Sequence, residues 1–500
     1  MTQPLESFSD HGASGKGGAR SHRGKRESSF DLAVSPPVAE SGKQAWVYET
    51  LRGQILGGAL AAQARVPSTR SLAQRMGVSR STVEWAYDQL RAEGYVVGVP
   101  GSGTYVCAQV PDRFLDPERP ASIAARPGPS TPPTDTGRLN AGFIARVADP
   151  GLFPMAEWKR CLAHALRTTP VQALADEDPR GSRALREQIA RYLGAARGIA
   201  CDPDQILVVS GIRHAIDLCA RVLVGPGDTT LVEDPCYPTA STIFRGYTDR
   251  VIPLPIDAHG FSVTEARRHE AARLVHVTPA HQSPTGVTMP ISRRLELLAW
   301  AQAQGAWLIE DDYDSEFNYQ AAPLPALKSL DQGDRVIHCG SFNKTLFAGL
   351  RIGYAVVPRA LASRFLDGRY ATGRSISVLE QAALARFLES GAFARHVRRS
   401  RAVYAQRRAR VVEALQAVVP REQFHLTGEQ GGFHFAWWLP PGLTEAAFLD
   451  RAARVGLRFQ GLGALCHRND LPPAVLVGDS AMQDEALAAA LGRLPALLAG

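Results

Sequence analysis

The sequence predicts a multidomain chain in which a small helical head, closed by a glycine-rich hairpin, precedes a large α/β domain with a mostly parallel sheet. Three observations predict it. Five hundred residues exceed one ordinary domain, and a 45% hydrophobic content supplies ample core. Between about residues 44 and 106, three short helical segments are followed by two strand-like runs around a Pro-Gly-Ser-Gly turn. Beyond about residue 140, short apolar runs alternate with helical stretches, as strands buried on both faces do.

Composition narrows the class. The net charge of +7 suits a polyanionic partner without requiring one. The seven cysteines, at 107, 161, 201, 219, 236, 339 and 466, form no C-x-x-C pair. That pattern reads as a reduced cytoplasmic protein with no metal site and no disulfide framework. No apolar run is long enough to span a bilayer, and the polar start lacks the apolar core of a secretory signal.

Residues 1–43 read as a disordered Gly/Ser tail carrying Lys16, Arg20, Arg23, Lys25 and Arg26. The head follows over 44–106. Val47, Leu51 and Ile55 recur at helical spacing, and Pro67-Ser68 opens a short helix carrying Leu72 and Met76. Gly77 breaks it, and Ser79 caps a helix whose stripe is Val83, Ala86, Tyr87 and Leu90. Tyr95–Val99 and Thr104–Val106 are the expected strands. A Pro-rich linker spans 107–137. The large domain runs over 138–500, with a small α+β subdomain from about 390. Its expected buried strands are Gln205–Val209, Thr230–Val232, Leu274–Val277, Trp307–Ile309, Val336–Ile337 and Ile352–Val357.

Helix, turn, helix and glycine-rich hairpin is the order of a winged helix-turn-helix, whose second helix enters the major groove of double-stranded DNA. Arg80, Ser81, Thr82 and Glu84 are the early positions of that helix, after Ser79. Ser68, Thr69 and Arg70 open the preceding helix, where free N–H groups favour a phosphate. Gly101 and Gly103 shape the wing. Between Gln44 and Tyr105, six arginines face four acidic residues, so charge alone does not decide for DNA.

In the large domain the sharpest signal is Ser341-Phe342-Asn343-Lys344-Thr345-Leu346, with Arg351 seven positions beyond the lysine. Such a lysine suits Schiff-base chemistry with a phosphorylated aldehyde, and the hydroxyl and the guanidinium suit its phosphate. Trp307-Leu308-Ile309 runs into Glu310-Asp311-Asp312-Tyr313-Asp314, which places carboxylates at a strand's carboxyl end, where open α/β sheets bind ligands. Val208-Val209-Ser210-Gly211-Ile212-Arg213 is a strand turning through glycine into a helix, a phosphate-binding arrangement. Tyr237, after Asp234-Pro235-Cys236, can stack on a ring, and Thr278–Gly286 brings Gln282 and Ser283 to the same edge.

The blocks Val66–Ala73, Met76–Val83, Ala86–Leu90, Ala92–Tyr95 and Gly101–Val106 resemble the GntR-type winged helix in order and spacing. The lysine, carboxylate and glycine blocks resemble the fold-type-I aminotransferases, together with Asp178-Pro179-Arg180-Gly181, Leu379-Glu380-Gln381 and Arg395–Arg401. The whole chain resembles the MocR/GabR regulators, which join the two. The resemblance implies an α/β pyridoxal-phosphate-dependent transferase fold, with Lys344 as the Schiff-base lysine and Asp311 as the partner of the pyridine nitrogen. It gives Tyr313 to the ring hydroxyl, Tyr237 to stacking, and Ser341, Arg351, Gly211, Ile212 and Arg213 to the phosphate. It also implies a homodimer and an effector that is pyridoxal 5'-phosphate itself or an amine. An aminotransferase with an appended DNA-binding head is the alternative.

The sequence departs from these families at named positions. Val99 stands where a basic wing residue is common, Asn343 where serine is usual, and Arg213 where glutamine is common. Ser283 replaces an asparagine near the ring oxygen, and Gln282 is expected to substitute for it. Leu476 stands where the family places an arginine that clamps a substrate carboxylate, a task no aliphatic chain performs. Arg458 and Arg468 are the nearest alternatives in sequence.

Overall fold

The computed structural model describes residues 42–108, 110, 142–175, 178–319, 324–373, 376–468 and 471–498. The tail expected over 1–43 and the linker expected over 107–137 lie outside the described residues except at their edges. The chain divides into two compact units, residues 1–132 and 133–500, and each is described by itself.

In the first unit, α1 (Lys43–Leu56), α2 (Thr69–Met76) and α3 (Arg80–Ala92) precede strands β1 (Val96–Val99) and β2 (Gly103–Val106). The apolar stripes meet in one core. Val47, Leu51 and Ile55 of α1 cluster with Leu72 and Met76 of α2 and with Val83, Tyr87 and Leu90 of α3. The breaks are local chemistry. The Ser68 hydroxyl accepts from the Ser71 amide at 3.2 Å and that of Ser79 from the Thr82 amide at 3.1 Å, so each caps the helix it precedes. Gly77 ends α2 in the left-handed region at φ 63°, where a side chain would be strained. β1 and β2 pair antiparallel, with Val96 opposite Val106 and Val99 opposite Gly103.

The second unit is built on an eight-stranded sheet. Its strands are β3 (Ile206–Val209), β4 (Thr229–Asp234), β5 (Val251–Asp257), β6 (Gly260–Phe261), β7 (Ala272–Val277), β8 (Trp307–Asp312), β9 (Val336–Ser341) and β10 (Gly353–Val356). Their spatial order is β3-β10-β9-β8-β7-β4-β5-β6. The core pairings β9–β8–β7–β4–β5 are parallel, and β10 lies antiparallel between β3 and β9. The apolar runs are parallel strands enclosed on both faces, which is why they lack an alternating pattern. One apolar cluster joins Leu207, Val209, Val232, Ile309 and Ile337 to the helix Ile212–Leu223, and another packs Leu231, Val275 and Leu308 against Leu297 and Trp300.

A smaller antiparallel sheet follows, with β11 (His425–Thr427), β12 (His434–Trp438), β13 (Gln460–Gly461) and β14 (Ala474–Gly478) in the order β11-β12-β14-β13. The 27-residue helix Ala392–Val418 packs Val411 and Leu415 beneath it. Chain entry into this unit is tied to the same sheet. The Phe143 amide donates to the Arg458 carbonyl at 2.8 Å, and the Gly478 amide donates to the Phe143 carbonyl at 3.1 Å.

Candidate cofactor and DNA-contact sites

The parallel strands deliver their carboxyl ends to one edge of the sheet, and β10, running the other way, delivers its start there. The acidic run at the end of β8 is split by strand alternation. Glu310 accepts from the Leu327 and Lys328 amides at 2.7 and 3.0 Å and sits 2.9 Å from His338 Nδ1. Asp312 takes the Arg197 Nε–H at 2.8 Å. Asp312 Oδ1 is also buried with no hydrogen-bond partner among the described residues, but the Arg197 guanidinium balances the Asp312 charge, so both of these carboxylates find their charge partners within the fold.

Asp311, between them, points to the other face. Its Oδ2 lies 3.4 Å from His276 Nε2, and its Oδ1 is buried with no hydrogen-bond partner among the described residues. A buried carboxylate oxygen without a donor is costly unless a ligand supplies one. A protonated pyridine nitrogen is such a donor, so this carboxylate fits the cofactor that the sequence implies.

Lys344 lies in a single helical turn, Phe342–Thr345, directly after β9. Burial, and then the neighbouring Arg146 guanidinium, lower its pKa to about 8. A substantial neutral, nucleophilic fraction is therefore present near neutral pH. The ammonium donates to the Arg146 carbonyl. Tyr313 is 3.0 Å from His281 Nδ1, and burial, then Asp314, raise its pKa well above 10, so it stays a hydroxyl donor. His281 also lies 3.2 Å from Asp314, while His434 Nε2 donates to the Pro284 carbonyl at 3.0 Å.

The expected phosphate cup is assembled from three segments. Gly211 precedes the helix Ile212–Leu223 at φ 115°, and a Cβ there would stand 2.8 Å from Asn343 Nδ2. Asn343 Oδ1 accepts from the Ile352 amide at 3.1 Å, which stitches the lysine turn to β10. The Ser341 hydroxyl accepts from the Asn343 amide at 3.2 Å. Arg351 sits in the left-handed region at φ 55°, exposed, with no hydrogen bond or ion pair of its side chain among the described residues. Arg213 is exposed and donates through Nε to the Tyr237 hydroxyl at 2.8 Å. Exposed cationic side chains beside a helix start are what a phosphate dianion needs.

Gln282 does not take the place expected of it. Its Nε2, with two hydrogens, has three acceptors in reach, Glu233 and the Pro235 and Ser283 carbonyls, at 3.2, 2.8 and 3.0 Å. Its Oε1 accepts from the amide and the hydroxyl of Thr285 at 3.0 and 2.7 Å. The amide is thus consumed in folding its own loop and is not left for a ring oxygen. The two arginines weighed as replacements at position 476 are differently placed. Arg468 donates through Nε to Asp234 at 3.1 Å, and Arg458 is exposed and pairs through its backbone with Phe143.

The residue that sequence reading missed is Arg146, 198 positions before the lysine it touches. It holds φ 67°, unusual for a side-chain-bearing residue. Nη2 donates to Gln460 Oε1 at 2.7 Å, and Nη1 is buried without a partner among the described residues. Burial lowers its pKa, while Tyr313 and Tyr237 push it back up, so both tyrosines lie within its field. No spacing rule marks such a residue, because only the folded chain brings it to Lys344.

On the first unit, Arg70, Ser79, Arg80 and Ser81 are exposed, and Thr69 and Thr82 are half-buried. Ser79 Oγ lies 2.9 Å from Ser81 Oγ and 2.8 Å from Thr82 Oγ1, and Arg80 pairs with Glu84 at 2.8 Å, an exposed pair that is readily exchanged. Gly101 and Gly103 take φ 73° and 120° at the hairpin, with Val99 exposed beside them. Trp85 is a large apolar side chain left 41% exposed on α3. Among the described residues no helix is long and apolar enough to cross a membrane.

Comparison with known proteins agrees with both units. Residues 43–106 match the bacterial regulatory proteins of the gntR family, and residues 166–459 match aminotransferase class I and II. The probable rhizopine catabolism regulatory protein MocR of Rhizobium meliloti is 40% identical over 72% of this chain and 74% of its own length. The regulator TauR of Rhodobacter capsulatus is 33% identical over 87% and 90%, and the pyridoxine biosynthesis regulator PdxR of Corynebacterium glutamicum is 35% identical over 77% and 81%. Among solved structures, the kynurenine aminotransferase of Pyrococcus horikoshii covers 72% of this chain and 90% of its own, with a TM-score of 0.66 and 27% identity.

Proposed function

The chain belongs to the MocR/GabR-type transcription regulators, a GntR winged helix fused to an aminotransferase-like domain, and on that premise we propose that an amine effector or the cofactor itself, acting at the Lys344 pocket, sets how a homodimer holds DNA. The observation that carries this reading is Asp311, a buried carboxylate whose Oδ1 lacks a donor, opposite a lysine kept partly neutral. When bound, pyridoxal phosphate supplies an aldehyde that condenses with amines and an electron-withdrawing ring.

The chain's own residues do the rest. Asp311 would hold the ring nitrogen's proton, Tyr313 would donate to the ring hydroxyl and Tyr237 would stack on the ring. Gly211, Ile212, Arg213, Ser341 and Arg351 would hold the phosphate, and Lys344 would supply the amine for the aldehyde. On the head, Ser68, Thr69 and Arg70 grip backbone phosphates, while Arg80, Ser81 and Thr82 face base edges beyond the capping Ser79. The wing around Gly101 and Gly103 lies against the duplex with little charge of its own. Such a regulator works in the cytoplasm.

Linkage requires the occupied pocket to favour one arrangement of the paired heads over another. Footprinting of the promoter upstream of the chain's own gene, with and without added pyridoxal phosphate, is the direct test. The expected result is two different protection patterns. Identical patterns across saturating cofactor and amine would overturn the reading.

A further inference from the structure

We propose that Arg146 takes the acidic group of an amino-acid effector, replacing the arginine that the family places at position 476. The inference deepens the reading of the pocket as an amine sensor and rests on it. Leu476 is fully buried in β14, and its partner across the sheet is Gln460 of β13. Gln460 Oε1 is the atom that accepts from Arg146 Nη2 at 2.7 Å. The guanidinium therefore arrives, from a distant part of the chain, at the residue directly opposite the aliphatic one.

Half of its fork is spent on Gln460. The other half, Nη1, is buried with no acceptor. A buried cationic donor left open is an unstable arrangement that an anion completes, and a planar fork suits a carboxylate. The same residue's carbonyl accepts from Lys344 Nζ. The open guanidinium thus belongs to the residue that touches the reactive lysine, so an acid held there would keep an effector's amine near Lys344, which suits a short amino acid rather than a simple amine.

The position is held deliberately. Arg146 keeps φ 67° because the chain is fastened on both sides of it. Phe143 is bonded to Arg458 and Gly478, and the Ser480 hydroxyl donates to the Val147 carbonyl at 2.6 Å. Three other arginines of this unit are already engaged: Arg468 on Asp234, Arg407 on Asp149 at 2.9 Å and Arg408 on Asp479.

The test titrates the visible band of the cofactor-loaded protein with glycine, β-alanine and 4-aminobutanoate. Methylamine, ethylamine and propylamine are the matching amines without the acid. Wild type should respond to the acids at lower concentration than to their amines. Arg146→Gln should raise half-saturation for the acids by roughly ten- to a hundredfold more than for the amines, a shift common to both reporting only the cation lost beside Lys344. Arg146→Lys should restore only part of the difference. Melting-temperature shifts with the same six probes give the comparison for a variant that loads poorly. Equal responses of wild type to acid and amine, or an equal loss of both in Arg146→Gln, would overturn the role of Arg146 while the cofactor band stands. A wild-type protein with no band would overturn the cofactor reading and the proposal together.

Discussion

At the scale of single residues, the pocket is arranged around a lysine that its surroundings keep partly deprotonated. Burial and Arg146 bring it to about 8 from the ordinary 10.5 of a lysine. The neutral amine therefore accumulates as pH rises toward 8, and the rate of pyridoxal phosphate uptake should rise over that range and level off above it. Absorbance stopped-flow would show this, and Lys344→Ala should abolish the band. The stability sign follows from proton counting. Between about 8 and 10.5 the unfolded chain binds the proton and the folded chain does not, so cofactor-free wild type gains stability as pH rises, relative to Lys344→Ala. A constant difference in melting temperature between the two across that range would contradict the burial. Lys344 and Asp311 were legible in the sequence because each follows directly on an apolar strand. Gln282 was not, because residue type does not reveal that a side chain's whole hydrogen-bonding capacity is spent on its own loop. Arg146 was illegible for a different reason. Its meaning comes from a contact 198 residues away.

At the scale of elements, the strands of the large sheet could be read as apolar runs, since enclosure on both faces removes every polar position. Direction could not be read. β10 is as apolar as its neighbours yet runs antiparallel between β3 and β9, and that reversal is what lets Arg351 precede a strand at the edge where the others finish. The short strands β11–β14 escaped notice because runs of three to five residues, or two, give too little periodicity to register. The strand–glycine–helix unit at β3 makes a sharp prediction. Gly211→Ala would place a Cβ 2.8 Å from Asn343 Nδ2 at φ 115°. The strain should weaken cofactor affinity about tenfold, measured by absorbance titration, with the melting temperature of the head unchanged. An affinity equal to wild type would show that the glycine is not needed for the phosphate loop.

At the scale of the whole molecule, both halves were legible from the order of their parts, and the head more completely than the large unit. Its three stripes and the Ser79 cap fall where spacing and residue type put them. Its charge remains modest, so the electrostatic share of DNA binding should be traceable to single cations. Arg70→Ala should reduce the slope of log affinity against log salt by about one in fluorescence-anisotropy titrations over several salt concentrations, whereas Arg80→Ala should relax the preference for operator over unrelated DNA. An unchanged slope would remove Arg70 from the phosphate contacts. The point of entry into the large unit carries a mechanical consequence. The backbone passing Gly142 is clamped to the small sheet at Phe143, and only three residues later it supplies the carbonyl that holds the lysine and the guanidinium that faces Gln460. Whatever displaces the backbone at that doorway displaces both groups together, so the pocket and the small sheet share one anchor.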